Sequence, residues 1–328
     1  MPWLTDFSYR KKITITGQTG AGTLYQVKLL VGETSGATGE KFDLGGNSAI
    51  FPTAENNGGD LRFTANDGQT LLSFWVESVS GTTPNRLATI WVKVSADLGT
   101  NQDIYIYYGN SGASNVSNGD STFLLFDDFE DGTLDSSKWG TLITSPGVVE
   151  EVNGYLRQYS PNVSPASAYV YSQSAFTAPY AVDFSFNIVL EKNNQQQLSD
   201  GPAHIDQNGI RTILIDTSRL WQRCVSGTWT DENTFTSGVG NHRALLGIDQ
   251  NNYGRLVYDG TSYVTGATIN ASLIKYIFIY NGYSQGEAEI QHYFIFVRKF
   301  LSVDPAFSSA GGEEILKKSS AVPILMMM

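Results

Sequence analysis

The chain has 328 residues, 41% of them apolar, 12% aromatic and only 16% charged, with 33 glycines and a formal net charge of −11. That length holds two hydrophobic cores, and many glycines and aromatics with few charges suit strands and turns rather than helices. The acidic balance excludes nucleic acid and anionic lipid as main partners, since both need a basic face; the single cysteine, Cys224, excludes a disulfide framework and a cysteine-based zinc site.

The opening MPWLTDFSYRKK lacks the apolar run of a secretory signal, and no segment is apolar for the roughly 18 residues that a membrane span needs. The expectation is a protein without membrane insertion that stays in the cytoplasm, has been trimmed, or leaves the cell by another route, such as a virus particle released by lysis. Period-2 alternation then predicts strands in chain order. Arg10–Gly17 (RKKITITG) and Tyr25–Val31 (YQVKLLV) flank a glycine turn. Asp60–Ala65 (DLRFTA) and Leu71–Val79 (LLSFWVESV) flank Asn66-Asp67-Gly68, a strong hairpin signal. Ala88–Val94 and Asp103–Gly109 complete a first set, an antiparallel sandwich over residues 1–110. In this set Trp75 and Trp91 are expected in the core, and Arg62 in an ion pair with Asp60 or Glu77.

The Gly/Ser/Asn-rich stretch over residues 111–122 predicts a linker or surface loop. At Phe123–Trp139 (FLLFDDFEDGTLDSSKW) apolar residues give way to carboxylates, a buried strand running into an acidic turn. Strands resume over Gly154–Ser160, Ala168–Ser174, Tyr180–Glu191, Gly209–Asp216, Arg219–Val225, His242–Asp249, Tyr253–Gly260, Ser272–Gly282 and Ala288–Phe300, with short hairpins at Gly227-Thr228 and Asp259-Gly260. They predict a second sandwich over residues 123–308. The remainder, 309–328, ends in the apolar AVPILMMM and is expected to fold back or to dock on a neighbouring subunit.

Tyr9-Arg10-Lys11, Asp60–Thr64, Trp75–Glu77, Trp91–Val94 and Tyr107–Asn110 come in the order of blocks found in the family catalogued as domain of unknown function 2341, which the chain resembles over about residues 3–110. The FDDFED…W block, the strands after it and the ending His292–Glu314 resemble a concanavalin A-like lectin/glucanase domain. The resemblance implies an all-β chain of two antiparallel β-sandwiches, jelly-roll or concanavalin A-like, in surface or phage-encoded accessory proteins. Laminarinase-like members of that fold place carboxylates as E-x-D-x-(x)-E on one strand face. No such run of carboxylates is present. Val149–Val152 (VEEV) puts adjacent acids on opposite faces, and Glu287 with Glu289 lacks a third. His204, His242 and His292 have no ligand-spaced partner, no G-x-S-x-G elbow occurs, and Gly17–Thr23 lacks a P-loop lysine.

Two kinds of site remain. Calcium takes six to eight oxygens, and Asp127, Asp128, Glu130 and Asp131 on one turn are candidate ligands, Asp128 foremost, for a structural calcium of the kind the resemblance implies; no other cofactor is required. Glycan binding uses aromatic platforms flanked by polar groups, and Trp229, Tyr263 and Tyr283 in turn-rich segments are candidates. The expectation is therefore a protein that is not an enzyme: a virion component (tail fibre, head fibre or decoration subunit), displayed on the virion surface. Its expected partners are copies of itself, other virion or surface subunits, and cell-surface glycan. The alternatives are a glycan-active hydrolase of the lectin/glucanase fold and a cell-surface adhesin.

Overall fold

A computed structural model describes residues 3–54, 57–190, 194–201, 207–215, 218–282 and 286–316. The chain divides into two units, Met1–Thr122 with Pro305–Met328, and Phe123–Asp304. Unit 1 opens with β1 (Tyr9–Thr16), β2 (Tyr25–Gly32), β3 (Phe42–Asp43), β4 (Arg62–Ala65), β5 (Leu71–Leu72), β6 (Phe74–Ser80), β7 (Leu87–Val94), β8 (Gln102–Tyr108) and the one-turn helix α1 (Gly119–Thr122). Unit 2 runs through β9 (Leu125–Asp127), β10 (Trp139–Thr144), β11 (Val148–Val152), β12 (Tyr155–Ser160), β13 (Ser167–Ser172), β14 (Tyr180–Leu190), β15 (Asn194–Ser199) and β16 (Asn208–Ile215). It continues with β17 (Ser218–Val225), β18 (Thr228–Thr236), β19 (Gly240–Ile248), β20 (Gly254–Tyr258), β21 (Thr261–Val264), β22 (Tyr276–Gly282) and β23 (Ala288–Lys299). The last strand, β24 (Ala306–Ile315), belongs to unit 1.

Unit 1 is a sandwich of a five-stranded sheet, β24-β1-β8-β4-β5, and a four-stranded sheet, β3-β2-β7-β6. Alternation buries Ile13 and Ile15, Val27, Leu29 and Val31, Phe74 and Val76, and Ile90 and Val92. Trp75 and Trp91 are buried as expected, but directly opposite each other on the alternate face of the β6–β7 pair. Trp91 Nε1 donates to Glu77 at 2.6 Å. Glu77 is thus committed to Trp91 and to Lys28, 3.6 Å away, and the predicted ion pair with Arg62 does not form. Arg62 donates instead to the carbonyls of Leu61 and Ser114. Asp60, fully buried, accepts from Ser48 Oγ, from the amide of Ala49, and from the amides of Gly109 and Asn110.

Two boundary expectations change. The stretch predicted as a linker is bound along unit 1: Asn118 N donates to Phe74 O, Ser117 Oγ accepts from Val76 N, and Gln26 donates to Thr122 O. Small polar side chains here replace a missing sheet neighbour for β6. The segment past residue 308 is not a separate arm as far as it is described. β24 pairs antiparallel with β1, from Thr16↔Ala306 to Tyr9↔Ile315. Glu314 meets the buried Arg10 at 2.7 Å, and Glu313 accepts from Asn47 and Tyr108. Arg10 is further sandwiched between the rings of Trp3 and Tyr105, each 4.3 Å from its guanidinium. The apolar AVPILMMM lies outside the described residues.

Unit 2 is a larger sandwich: a seven-stranded sheet, β10-β13-β22-β15-β16-β17-β18, and an eight-stranded sheet, β11-β12-β23-β14-β19-β20-β21, with β9 added to β23. Its core joins Phe184, Phe186, Ile188, Leu198, Ile210, Trp221, Leu246, Ile279 and Ile295 among others. Both predicted short hairpins form with their central residues at positive φ: Ser226 and Gly227 between β17 and β18, one residue earlier than the expected Gly227-Thr228, and Asp259 and Gly260 between β20 and β21. That backbone matches the right-handed twist of the strands it joins. Among the described residues the chain is all-β but for α1, and both units are antiparallel sandwiches.

Candidate functional site

The two faces of the seven-stranded sheet are set by which residues reach the core. Leu198, Ile210, Leu214, Trp221, Ile277, Ile279 and Val170 point inward. Their alternates, Gln195, Gln197, Arg211, Gln222, Phe278, Tyr280, Tyr169 and Tyr171, therefore line the outer face. Cross-strand register places them in rows. One runs Tyr171, Phe278, Gln197, Arg211, Gln222, Asp231; the next runs Tyr169, Tyr280, Gln195, Ile213, Leu220.

Polar groups in these rows are bonded to one another across four strands. Arg211 Nε donates to Gln222 Oε1 at 2.6 Å and its Nη1 to Gln195 Oε1 at 3.3 Å, while Gln222 Nε2 donates to Asp231 Oδ1 at 2.6 Å. The Arg211 guanidinium lies 3.7 Å from the centroid of the Trp229 ring, close enough for a cation–π contact that holds both side chains in place. On the other side Tyr169 packs on Tyr280 at 4.7 Å and on Phe278 at 5.3 Å. The result is a strip of buried amides, the half-buried Arg211 guanidinium and the exposed Asp231 carboxylate, bordered by the half-buried rings of Trp229, Tyr169 and Tyr280 and the buried ring of Phe278.

Of the predicted platforms, Trp229 lies on this face, at the start of β18 rather than on a loop. Tyr263 does not: it is half-buried on β21, stacked on Phe235 at 5.1 Å and packed against the inter-sheet core. Tyr283 lies outside the described residues. Sequence reasoning missed Gln195 and Gln197 because β15 (NQQQLS) shows no apolar alternation, although all six of its residues are buried; Arg211 and Gln222 lie on strands that were predicted, but which face they share is set by cross-strand register. The signal available was a run of amides set between two strong strands.

At the E-x-D-x-x-E spacing expected of laminarinase-like strands, β15 and its exit carry Gln195, Gln197 and Asp200. Carboxamides do not ionise, so the carboxylate there is Asp200. Its Oδ2 accepts from Asn208 at 3.1 Å, and its Oδ1 is buried without a partner. Glu289, paired in sequence with Glu287, is bound by Arg157 at 3.0 Å, which Glu150 also meets at 2.8 Å.

The four predicted calcium ligands are not gathered. Asp127 is buried, its Oδ1 accepting from Phe129 N at 3.0 Å and its Oδ2 from Trp139 Nε1 at 2.8 Å, and burial raises its pKa. Asp128 is half-buried, Glu130 lies against Gly154, and Asp131 accepts from Thr133 N. Asp127 is thus a tie between β9 and the Trp139 side chain. Among the described residues no group of three or more Asp, Glu, His or Cys is placed to hold a metal ion. A cleft of about 390 Å³ in unit 1, lined by Thr5, Asp6, Phe7, Ser8, Asn110 and Gly112, contains none of the predicted site residues.

Residues 57–142 match the model of a family described as a domain of unknown function, DUF2341. The match covers about a quarter of the chain and crosses from unit 1 into β10 of unit 2; the Tyr-Arg-Lys start that suggested the family lies outside it. No curated protein sequence matches the chain. Among solved structures, it is similar to the laminarinase catalytic domain of Thermotoga maritima MSB8 (13% identity, TM-score 0.44, 55% of this chain and 98% of that one). It is similar to the endo-β-1,3-glucanase of Pyrococcus furiosus (12%, 0.44, 57% and 95%) and to LamAcat of Zobellia galactanivorans (13%, 0.45, 55% and 100%). These likenesses overturn the expectation of a protein that is not an enzyme, since the structures matched are a laminarinase and endo-glucanases; at such identities the likeness itself is one of fold. Residues 57–142 carry the DUF2341 match, and unit 2 is a sandwich of two antiparallel sheets.

Proposed function

We propose that unit 2 is a glycan-active sandwich that takes a polysaccharide along the outer face of its seven-stranded sheet. The observation carrying this reading is the bonded row Gln195–Arg211–Gln222–Asp231 with Trp229 on one side and Tyr169 and Tyr280 on the other. Planar amide, guanidinium and carboxylate groups suit sugar hydroxyls, and ring faces suit the C–H faces of pyranoses. Fixing Arg211 from three sides lowers the entropy lost when a chain binds.

Affinity electrophoresis against β-1,3- and mixed-linkage glucans tests it. Arg211→Ala and Trp229→Ala are each expected to weaken retention about tenfold, corresponding to about 1.4 kcal/mol. Equal retention of wild type and both variants removes the reading. Asp231 on this face and Asp200, just past the end of β15, are the carboxylates to test for action on a bound chain, since glycoside hydrolysis needs paired acids about 5–10 Å apart. Reducing ends released by wild type and lost in Asp200→Asn or Asp231→Asn support hydrolysis; retention without release in any sample confines the face to recognition. Display on a virion or cell surface is a separate proposal. Stoichiometric copies of the chain on purified particles, by mass spectrometry and electron microscopy, support it, and their absence removes it.

A further inference from the structure

The inner face of the same sheet holds a different polar set. Arg219 on β17 is wholly buried. Its guanidinium is met by neutral groups: Nη1 donates to Gln196 Oε1 and Thr212 Oγ1, both at 3.2 Å, Nη2 donates to Asn194 Oδ1 at 2.8 Å, and the Tyr258 ring lies 5.1 Å from Cζ. The Tyr258 side chain also interacts with it, and the carboxylate acting on it is Asp259, whose two oxygens are taken by His242 Nδ1 and Arg243 N. Guanidinium is donor-only, so Asn194 and Gln196 must turn their oxygens towards it and their NH₂ groups away.

Those leftover donors are unanswered. Arg219 Nε, Asn194 Nδ2, Gln196 Nε2 and Trp221 Nε1 are all buried and have no hydrogen-bond partner. They stand on neighbouring inward positions. Gln196 is in register with Thr212, and Thr212 with Trp221, while Asn194 and Arg219 are each two residues along from a member of that row. A buried cation with no carboxylate in contact and four buried donors without acceptors each cost free energy. A single negatively charged acceptor placed among them removes both costs. Further along the seam the unpartnered atoms Asn281 Oδ1 and Gln158 Oε1 are acceptors, which suit water rather than an anion.

We propose that Arg219 seats a small monovalent anion, a halide such as chloride, with Arg219 Nε, Asn194 Nδ2, Gln196 Nε2 and Trp221 Nε1 as its donors. Full enclosure limits its size, and one guanidinium balances one charge. The site is distinct from the outer face: Arg219 and Arg211 belong to opposite sides of one sheet.

Crystals of the full chain soaked in sodium bromide and measured at the bromine edge test the site directly. An anomalous peak within hydrogen-bond reach of Arg219 Nε is expected. A map with no peak there, whether or not bromide binds elsewhere, overturns the proposal and leaves water as the occupant. In solution the unfolding temperature is expected to rise as chloride replaces gluconate at constant ionic strength, because a ligand of the folded state stabilises it by mass action. Arg219→Met is expected to abolish that rise. Equal unfolding temperatures in the two salts, or a rise of the same size in Arg219→Met, overturns the proposal; where Arg219→Met fails to fold, the bromide map decides alone.

Discussion

A buried carboxylate persists only where its lone pairs are answered, and Asp60 answers them with three amides and a hydroxyl drawn from two loops. It joins the Asp-Leu-Arg-Phe-Thr block to Gly109 and Asn110, the end of the Tyr-Tyr-Gly-Asn block, which gives a physical reason for those two blocks to travel together. Asp60→Ala is expected to lower the stability of unit 1 by about 2–4 kcal/mol, read from chemical unfolding, since several charge-assisted bonds are lost at once. Glu151 shows the reverse case. Burial, with Asp131 and Asp127 beside it, pushes its pKa up to about 7 from 4.5. Between those values the folded chain keeps a proton that the unfolded chain has released, so this group's contribution falls as pH rises from about 4.5 to about 7. Glu151→Gln is expected to flatten that part of the stability–pH curve and to raise the unfolding temperature at pH 7.5; an unchanged curve counts against the assignment. The acidic turn was legible as a cluster, but its partner Glu151 was not, because β11 brings it there from twenty residues further on.

Elements with alternating apolar residues were legible from the chain itself: β1, β7, β8, β14, β19 and β23 fall where ITIT, TIWVKV, IYIYY, AVDFSF, RALLGI and FIFV predict them. Strands without that signal were not. β15 is a run of amides and β18 (TWTDENTFT) reads as a polar loop, yet β15 lies inside the seven-stranded sheet and β18 closes its edge. Their neighbours supply the hydrogen bonds that make them strands, so local propensity is overridden. Turn chemistry was readable where φ demands it. Gly260 sits at φ 84° with open space where a Cβ would go, so its substitution probes backbone strain alone. Gly260→Ala is expected to cost about 1 kcal/mol, and Gly260→Asn distinctly less, because Asn tolerates the left-handed region; thermal unfolding of the pair checks this.

For the whole molecule, the return of β24 to unit 1 makes that unit discontinuous in sequence. Truncation after Asp304 is expected to uncover β1 and remove the Glu314 partner of Arg10, lowering the unfolding temperature of unit 1 while leaving the unit 2 transition in place; calorimetry distinguishes the two. EDTA is expected to leave both transitions unmoved, since Asp127 is occupied by Trp139 and Phe129. The chain by itself determined the all-β class, two antiparallel sandwiches, most strand positions, the buried tryptophans of the first and the two short hairpins, because these follow from period-2 burial and from residues that tolerate positive φ. Only the tertiary structure decided which unit owns the last strand, that Asp127 ties β9 to the Trp139 side chain, and which side chains share a face. Gln195, Arg211, Gln222 and Asp231 lie on four consecutive strands and become one surface only through cross-strand register, which period-2 alternation within each strand does not encode.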